Sequence, residues 1–200
     1  ILRAAKYMSA ANVPMLGVNL GQKGFMAELE RGETQEILRV LTGDYKTERR
    51  MMLDFAVKRQ GQVVYNGTAL NEVFIHGVGR TLDVTVSVDD TKICSFAGDG
   101  AIVASPTGST GYSLSAGGPI VEPTVENLIV TPICAHILTA KTYIIGSHSK
   151  VDVKISHLGS KAAFVTADGG DLFYLKDNDI LEVYKSEHFT SLVKLTKKSF

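Results

Sequence analysis

The stretch LDVTVSVDDTKICSF, residues 82–96, decides the fold class. Val84, Val86 and Val88 alternate with polar residues, and a period of two places all three valines on one face of a strand. The pair Asp89-Asp90 then predicts a turn into a second strand. The stretch therefore predicts an antiparallel hairpin that buries one face.

The same alternation recurs on both sides of this hairpin. Residues 51–67, MMLDFAVKRQGQVVYNG, predict two strands joined by a turn at Gln60-Gly61, and KVDVKI at 150–155 alternates in the same way. Further strands are predicted at AAFVTA, DLFYLK and DILEVYK, which are residues 162–167, 171–176 and 179–185. Residues 45–186 are therefore predicted to form a mainly antiparallel all-β domain.

The first 44 residues follow a different period. The segment ILRAAKYMSAA has helical spacing, VPMLGVNL suits a short buried strand, and a second helix is predicted over 33–41 with Gly43 at its C-terminal end. Residues 1–44 are predicted to be a partial N-terminal α/β lobe. Residues 187–200 remain a C-terminal tail, for which packing against that lobe is one option. Because the first helix begins at Ile1 without a capping residue, the natural chain is expected to start earlier.

Composition narrows the class of protein. The chain of 200 residues is 44% hydrophobic, and its 21 basic and 21 acidic side chains cancel, which fits a soluble globular protein and disfavours nucleic acid or an anionic membrane as a partner. No apolar run is long enough to span a membrane and no export signal opens the chain. Cys94 and Cys134 form no CxxC pattern, so they are predicted to be reduced, buried thiols in a cytoplasmic protein.

The candidate functional stretch is GDGAIVASPTGSTGYSLSAGGP, residues 98–119. Small residues in series leave backbone N–H groups accessible, as a phosphate- or ribose-binding loop requires. The hydroxyls of Thr107, Ser109 and Thr110 add donors and acceptors, and Tyr112 offers an aromatic face for a nucleobase. A long surface turn has the same composition, so residue types alone leave both interpretations open.

Other candidate residues are weaker when taken singly. Asn71 and Glu72 open an apparent strand, where an amide and a carboxylate can contact a ligand or simply cap a turn. The Asp-Gly pairs at 99–100 and 168–169 are typical of tight turns. The histidines form no HExxH pattern and no GxSxG occurs, which disfavours a zinc protease or a serine hydrolase.

Taken in order, GVNLGQKGF (17–25), ALNEV (69–73), the stretch 98–123 and TPICAHILT (131–139) resemble the NAD kinase family. The resemblance implies a two-domain enzyme, with an α/β lobe that holds a Gly-Gly-Asp-Gly phosphate loop and a β-sandwich that shapes the dinucleotide site. It implies Mg²⁺-dependent transfer of the terminal phosphoryl group of ATP, or of polyphosphate, to the 2′-hydroxyl of the adenosine ribose of NAD.

The resemblance also assigns site residues. Asn71 and Glu72 are expected to hold NAD, Asp99 to contact its nicotinamide end, and Phe25 to line the pocket. The residues expected around the adenine and its ribose are Thr107, Ser109, Thr110 and Tyr112. Asp168 matches a later site aspartate.

The family's catalytic aspartate lies in the Gly-Gly-Asp-Gly loop, which this sequence lacks, so the catalytic residue is expected upstream of Ile1. The metal ligands are not identified. Because the family assembles its sites across subunits, the resemblance implies a homodimer or homotetramer. Two alternatives remain: a non-catalytic dinucleotide-binding module, and a lipid or sugar kinase of the related superfamily, which should lack the pairing of Asn-Glu with Pro-Thr-Gly-Ser-Thr.

Overall fold

A computed structural model describes residues 1–21, 26–137 and 139–196. Its helices are α1 (Leu2–Met8), α2 (Leu38–Leu41) and α3 (Tyr112–Ser115), with 3₁₀ helices at Arg31–Ile37 and Thr107–Thr110. Its strands are β1 (Val18–Asn19), β2 (Leu29–Glu30), β3 (Lys46–Arg59), β4 (Gln62–Ala69), β5 (Glu72–Val78), β6 (Leu82–Val88), β7 (Thr91–Gly98), β8 (Gly100–Ala104), β9 (Asn127–Ile133), β10 (Tyr143–Gly146), β11 (Val151–Ser156), β12 (Ala162–Ala167), β13 (Phe173–Tyr174) and β14 (Ile180–Lys194).

Two six-stranded sheets form a β-sandwich, in the orders β4-β3-β14-β11-β6-β7 and β10-β9-β8-β5-β12-β13. Every adjacent pair in both sheets is antiparallel. Val84 and Val86 of the first sheet share one buried cluster with Val73 and Ile75 of the second. The alternation of valines in the sequence therefore marks the inner face of the sandwich, and the predicted fold class is confirmed.

Two predicted turns are also confirmed. Gln60 and Gly61 have φ angles of 52° and 79°, and Asp89 and Asp90 have φ angles of 47° and 64°. Two consecutive residues with positive φ are typical of tight hairpin turns, because their twist matches that of the strands they join.

The N-terminal part differs from the prediction in its detail. The segment predicted as one helix over 33–41 is a 3₁₀ helix followed by the single turn of α2, and none of the residues in these two elements is buried. An apolar face packed against the protein supplies most of the stability of a helix, so this exposed segment forms only short turns. The predicted strand at 13–20 contains only β1, which pairs in parallel with β2.

The segment 187–194, predicted as part of a tail, is the second half of β14. The register of β14 against β3 shifts between Lys185 and Phe189, and this bulge interrupts the alternation that would have identified the strand from the sequence. Beyond the bulge, Val193 and Leu195 pack in a small buried cluster with Leu29 of the N-terminal part. The boundary between the two domains stays a prediction.

Glu28 joins the N-terminal part to the end of β14. Its Oε1 accepts hydrogen bonds from the N–H of Leu195 at 2.8 Å and from the N–H and hydroxyl of Thr196 at 2.6 and 2.8 Å, while Oε2 lies 2.5 Å from Nζ of Lys194. Burial alone would raise the pKa of this carboxyl, but the hydrogen bonds from Lys194, Thr196 and Leu195 together lower it. The charged form is thus the one that the folded state stabilises.

We expect Glu28→Gln to reduce the free energy of unfolding by about 1–3 kcal/mol at neutral pH. The neutral amide weakens the three hydrogen bonds that Oε1 accepts and removes the ion pair with Lys194. The contribution of a carboxylate whose folded pKa is lowered is present above its ordinary value of 4.5, and it is lost as the pH falls through the folded pKa. The difference between the variant and the wild type should therefore narrow in acid. Urea denaturation at several pH values measures it, and an equal loss in the exposed-site control Glu30→Gln would contradict the assignment.

Candidate functional site

An open cavity of about 350 Å³ lies between the N-terminal part and the stretch that the sequence analysis identified. Asn71, Thr107 and Thr110 line it, so the structure brings together three of the predicted site residues. The rest of the wall consists of Ile1, Leu2, Val18, Asn19, Leu20, Met26, Ala27 and Gly111. The cavity therefore has a polar side from the β-sandwich and a mainly apolar side from the N-terminal part.

Residues 105–121, here termed the signature loop, fold over the outer face of the second sheet. The loop contains the 3₁₀ helix 107–110 and α3, and Tyr112, Ala116 and Val121 pack on a buried cluster of residues from β8 and β9. Ser105, Gly108, Ser109 and Ser113 are themselves buried. The loop is rich in small residues because its own backbone packs tightly, as well as because backbone groups face the cavity.

Two glycines let this loop lie directly on the main chain of Asn71 and on the side chain of Glu72. A Cβ atom added to Gly108 would sit 2.1 Å from the carbonyl oxygen of Asn71, and one added to Gly111 would sit 2.9 Å from Oε2 of Glu72. No side chain fits at the first of these distances unless the backbone moves. The Pro-Thr-Gly-Ser-Thr segment therefore packs directly against the Asn-Glu segment.

The 70–72 connection, which joins β4 to β5, is held by Asp168 and Ser105. The carboxylate of Asp168 accepts hydrogen bonds from the N–H groups of Leu70, Asn71 and Glu72 at 2.7, 2.9 and 3.1 Å. The hydroxyl of Ser105 donates to the carbonyl of Leu70 at 2.5 Å, and the N–H of Ser105 donates to the carbonyl of Asn71 at 2.8 Å. The backbone on which Asn71 and Glu72 stand is thus fixed from two sides.

The side chains of Asn71 and Glu72 each keep a buried oxygen that receives no hydrogen bond from the described part of the chain. These atoms are Oδ1 of Asn71 and Oε2 of Glu72. Buried polar atoms are nearly always paired, since leaving one unpaired costs about 1–3 kcal/mol. Two unpaired acceptors on consecutive residues beside a cavity are what a ligand with hydrogen-bond donors would satisfy.

Glu72 carries an unusual charge state. Its side chain is nearly buried, and burial, with a further contribution from the negative charge of Asp168, raises its pKa to about 7. The nearby backbone N–H of Tyr112 lowers the pKa and so partly opposes this shift. Glu72 therefore changes its protonation near neutral pH, where an ordinary glutamate is fully ionised.

Asp99 and Tyr112 lie near each other, and neither lines the cavity. The ring of Tyr112 packs edge-on against Phe74 with centroids 5.0 Å apart, and burial followed by the charges of Cys134 and Asp99 raises the pKa of Tyr112. The thiol of Cys134 donates a hydrogen bond to the carboxylate of Asp99, which raises the pKa of that thiol. Cys134 is exposed and Cys94 only partly buried, so the prediction of two buried thiols is wrong. The structure thus groups Asp99 with Tyr112 and Cys134, apart from the residues that line the cavity.

Two other predicted site residues need separate comment. Ser109 is fully buried, and its hydroxyl both donates to the carbonyl of Val121 and accepts from the N–H of Val121, at 3.2 and 3.1 Å. The hydroxyl of Ser109 therefore joins residues 109 and 121 and so closes the signature loop. Phe25 lies outside the described residues.

Sequence reasoning missed Ser105 and Gly108 as residues that fix the site. Their partners, Leu70 and Asn71, are far away along the chain, and a serine or glycine in a small-residue loop carries no signal of such a partner. The cavity-lining role of Leu2 and Asn19 was also not predicted.

Within residues 1–21, 26–137 and 139–196, no group of three or more His, Cys, Asp or Glu side chains is arranged to hold a metal ion. No helix among the described residues is long and apolar enough to cross a membrane.

Comparison with known proteins identifies the family. The family model for the ATP-NAD kinase C-terminal domain matches residues 70–195, which include the 70–72 connection and the signature loop. The NAD kinase of Natranaerobius thermophilus is 42% identical over 203 residues, which cover 100% of this chain and 71% of that protein. The NAD kinase of Symbiobacterium thermophilum is 39% identical and is covered to 70%.

Two solved structures share the fold. Yeast NADH kinase, crystallised with NADH, superposes with a TM-score of 0.85 at 27% identity, over 92% of this chain and 55% of that chain. An NAD kinase from Archaeoglobus fulgidus in complex with ATP superposes with a TM-score of 0.74 at 28% identity, over 92% of this chain and 70% of that chain. This chain therefore spans about half to seven tenths of the proteins that it matches.

The sandwich, the cavity and these matches together identify the class of this chain, which is a kinase domain that binds nucleotides. More specifically, the chain belongs to the NAD kinase family. None of the matches supports a lipid or sugar kinase.

We expect Gly108→Ala to destabilise the protein by about 1–3 kcal/mol, because the added methyl group forces the signature loop away from Asn71. Gly32→Ala is the matched control, since a Cβ atom there meets no other atom within 4 Å. Thermal unfolding of both variants measures the effect. If the two variants unfold at the same temperature, the close contact at Gly108 is not a constraint.

We expect the free energy of unfolding of Glu72→Gln to increase, relative to that of the wild type, as the pH rises. The folded pKa of about 7 lies above the ordinary value of 4.5, so the folded state keeps a proton that the unfolded state releases, and the wild type loses stability between these pH values. The relative gain should reach about 3 kcal/mol by pH 8. Urea denaturation from pH 4 to 8 tests this, with the exposed-site variant Glu187→Gln as a control that should show no such trend.

Proposed function

We propose that the protein to which this chain belongs is an NAD kinase that transfers the terminal phosphoryl group of ATP to the 2′-hydroxyl of the adenosine ribose of NAD, giving NADP. One observation carries the proposal. The unpaired Oδ1 of Asn71 and Oε2 of Glu72 lie beside a cavity that Thr107 and Thr110 also line.

The chemistry of these groups suits a dinucleotide. The two oxygens accept hydrogen bonds, and ribose hydroxyls and the nicotinamide or adenine amino groups donate them. The threonine hydroxyls both donate and accept, which fits a ribose, while the apolar wall at Leu2 and Val18 fits the flat face of a base. Asp99 and Tyr112 would complete the site from the group that they form with Cys134.

The relatives support both substrates. One structural relative was crystallised with NADH and another with ATP, which supply the dinucleotide and the phosphoryl donor respectively. We assign ATP as the donor on this basis, and polyphosphate becomes an outcome of the test.

Phosphoryl transfer depends mainly on positioning and on neutralising charge. We assign the positioning of the dinucleotide to the 70–72 connection and the signature loop. Mg²⁺, when bound, neutralises phosphate oxygens. Mg²⁺ is usually bound through one or two carboxylates together with substrate phosphates, so we expect the phosphates of ATP to supply part of its coordination. The homodimer or homotetramer and the cytoplasmic location stay predictions.

The test uses the full-length protein. Incubation with NAD, ATP and Mg²⁺ should form NADP, which an NADP-specific dehydrogenase detects, and replacing ATP by polyphosphate should give less product. Asn71→Ala should weaken NAD binding by about 1–3 kcal/mol, or roughly 5–150-fold in Kd, because a ligand donor loses its buried acceptor.

Asn66→Ala is the matched control, because Asn66 lies exposed on β4, close to the site in sequence but not on the cavity wall. Calorimetry of NAD binding should give the wild-type Kd for this variant. Absence of NADP formation by the wild type, or equal Kd values for the two variants, would overturn the proposal.

A further inference from the structure

We infer that Asp168 is a positioning residue, which holds Asn71 and Glu72 at the cavity by binding their main chain, and that it does not itself contact the substrate. The inference rests on the proposed function, since it takes NAD as the ligand. It also revises the expectation, drawn from the family resemblance, that Asp168 binds substrate.

The carboxylate of Asp168 accepts its hydrogen bonds from the main chain of residues 70–72. Oδ2 accepts from the N–H of Leu70, and Oδ1 accepts from the N–H groups of Asn71 and Glu72. The N–H of Asp168 in turn donates to the carbonyl of Glu72 at 3.0 Å. An ionised carboxylate offers about four lone-pair positions, and three are occupied here. Neither Asp168 nor Glu72 lines the cavity, so what distinguishes Asp168 is that main-chain N–H groups occupy both of its oxygens, whereas Oε2 of Glu72 is unpaired.

The β-sandwich fixes where Asp168 stands. It directly follows β12, whose last residue Ala167 is paired with Val73 of β5, so Asp168 faces the beginning of β5. Its own φ of 50° turns the chain at this point and aims the carboxylate at the 70–72 connection. A side chain supported by two paired strands is held more rigidly than one carried on a loop.

Only a carboxylate meets the demands of this position. It accepts through both oxygens, whereas an asparagine would present an NH₂ group to one of the three N–H donors. The charge has a cost, because Asp168 lies near the nearly buried Glu72 and burial raises the pKa of both groups. Three N–H groups and the charge of Lys6 on α1 offset only part of that cost, because the pKa of Asp168 stays raised. The protein tolerates two adjacent carboxyl groups at the place where the backbone must be fixed.

The test compares Asp168→Asn with Asp177→Asn in the full-length protein. Asp177 is a matched control, because its carboxylate also accepts a main-chain N–H, that of Leu158 at 2.9 Å, at a turn away from the cavity. In ligand-free Asp168→Asn, amide hydrogen exchange in residues 70–72 should rise about tenfold or more, since these N–H groups lose acceptors. The KM for NAD should rise about tenfold with little change in kcat, because binding geometry is lost before chemistry begins.

A pH profile separates positioning from general loss of stability. Removing the like charge of Asp168 should lower the pKa of Glu72, so the midpoint of the pH dependence of NAD binding should move to lower pH in Asp168→Asn and stay in place in Asp177→Asn. If Asp168→Asn does not fold, Ser105→Ala takes its place, because it removes the hydroxyl that binds the carbonyl of Leu70. That variant should raise exchange in 70–72 without moving the midpoint.

The outcomes distinguish this inference from the proposed function. A wild type that does not bind NAD overturns the proposed function, whereas the exchange rates of the ligand-free protein still report on Asp168. A wild type that binds NAD, together with unchanged exchange in ligand-free Asp168→Asn, overturns the positioning role, and weakened binding in that case identifies Asp168 as a direct ligand contact.

Discussion

The contact between Gly108 and the main chain of Asn71 is the constraint on which the site depends. At 2.1 Å from an added Cβ atom to the carbonyl oxygen, no residue other than glycine fits here unless the backbone moves. Ser105 and Asp168 hold the same connection from the other directions. The side chains of Asn71 and Glu72 therefore stand on a backbone that is held by two separate segments, the signature loop and the turn that follows β12.

This arrangement explains why two oxygens are left unpaired in an otherwise well-bonded region. The main chain of 70–72 is paired with Asp168, Ser105 and their neighbours, so it cannot shift to satisfy Oδ1 of Asn71 or Oε2 of Glu72. A flexible connection would turn these atoms toward some internal donor. Here the two oxygens stay available to accept hydrogen bonds. The raised pKa of Glu72 reflects the cost of burying its ionised carboxylate in the free protein.

Much of the fold was readable from the sequence, because the sandwich is built from local patterns. Val84 and Val86 alternate over a few residues and the Asp89-Asp90 turn is a local signal, so the hairpin could be predicted without knowing its partners. The second half of β14 could not, because a bulge at 185–189 breaks its period. The family resemblance located the site in the chain, but residue types could not separate Thr107, which lines the cavity, from Ser109, whose hydroxyl closes the loop. That difference depends on which way two neighbouring hydroxyls point.

The hydrogen bonds and the ion pair of Glu28 also have a consequence for how the chain folds. Glu28 and Leu195 are separated by 167 residues in sequence, and both belong to the region where the N-terminal part meets β14. During synthesis on the ribosome, the carboxylate of Glu28 must wait for almost all of the intervening sequence to emerge before its partners in residues 194–196 exist. The hairpins of the sandwich are local in sequence and can form in the meantime. The attachment of Glu28 to the end of β14 is therefore among the last long-range contacts that a nascent chain can make.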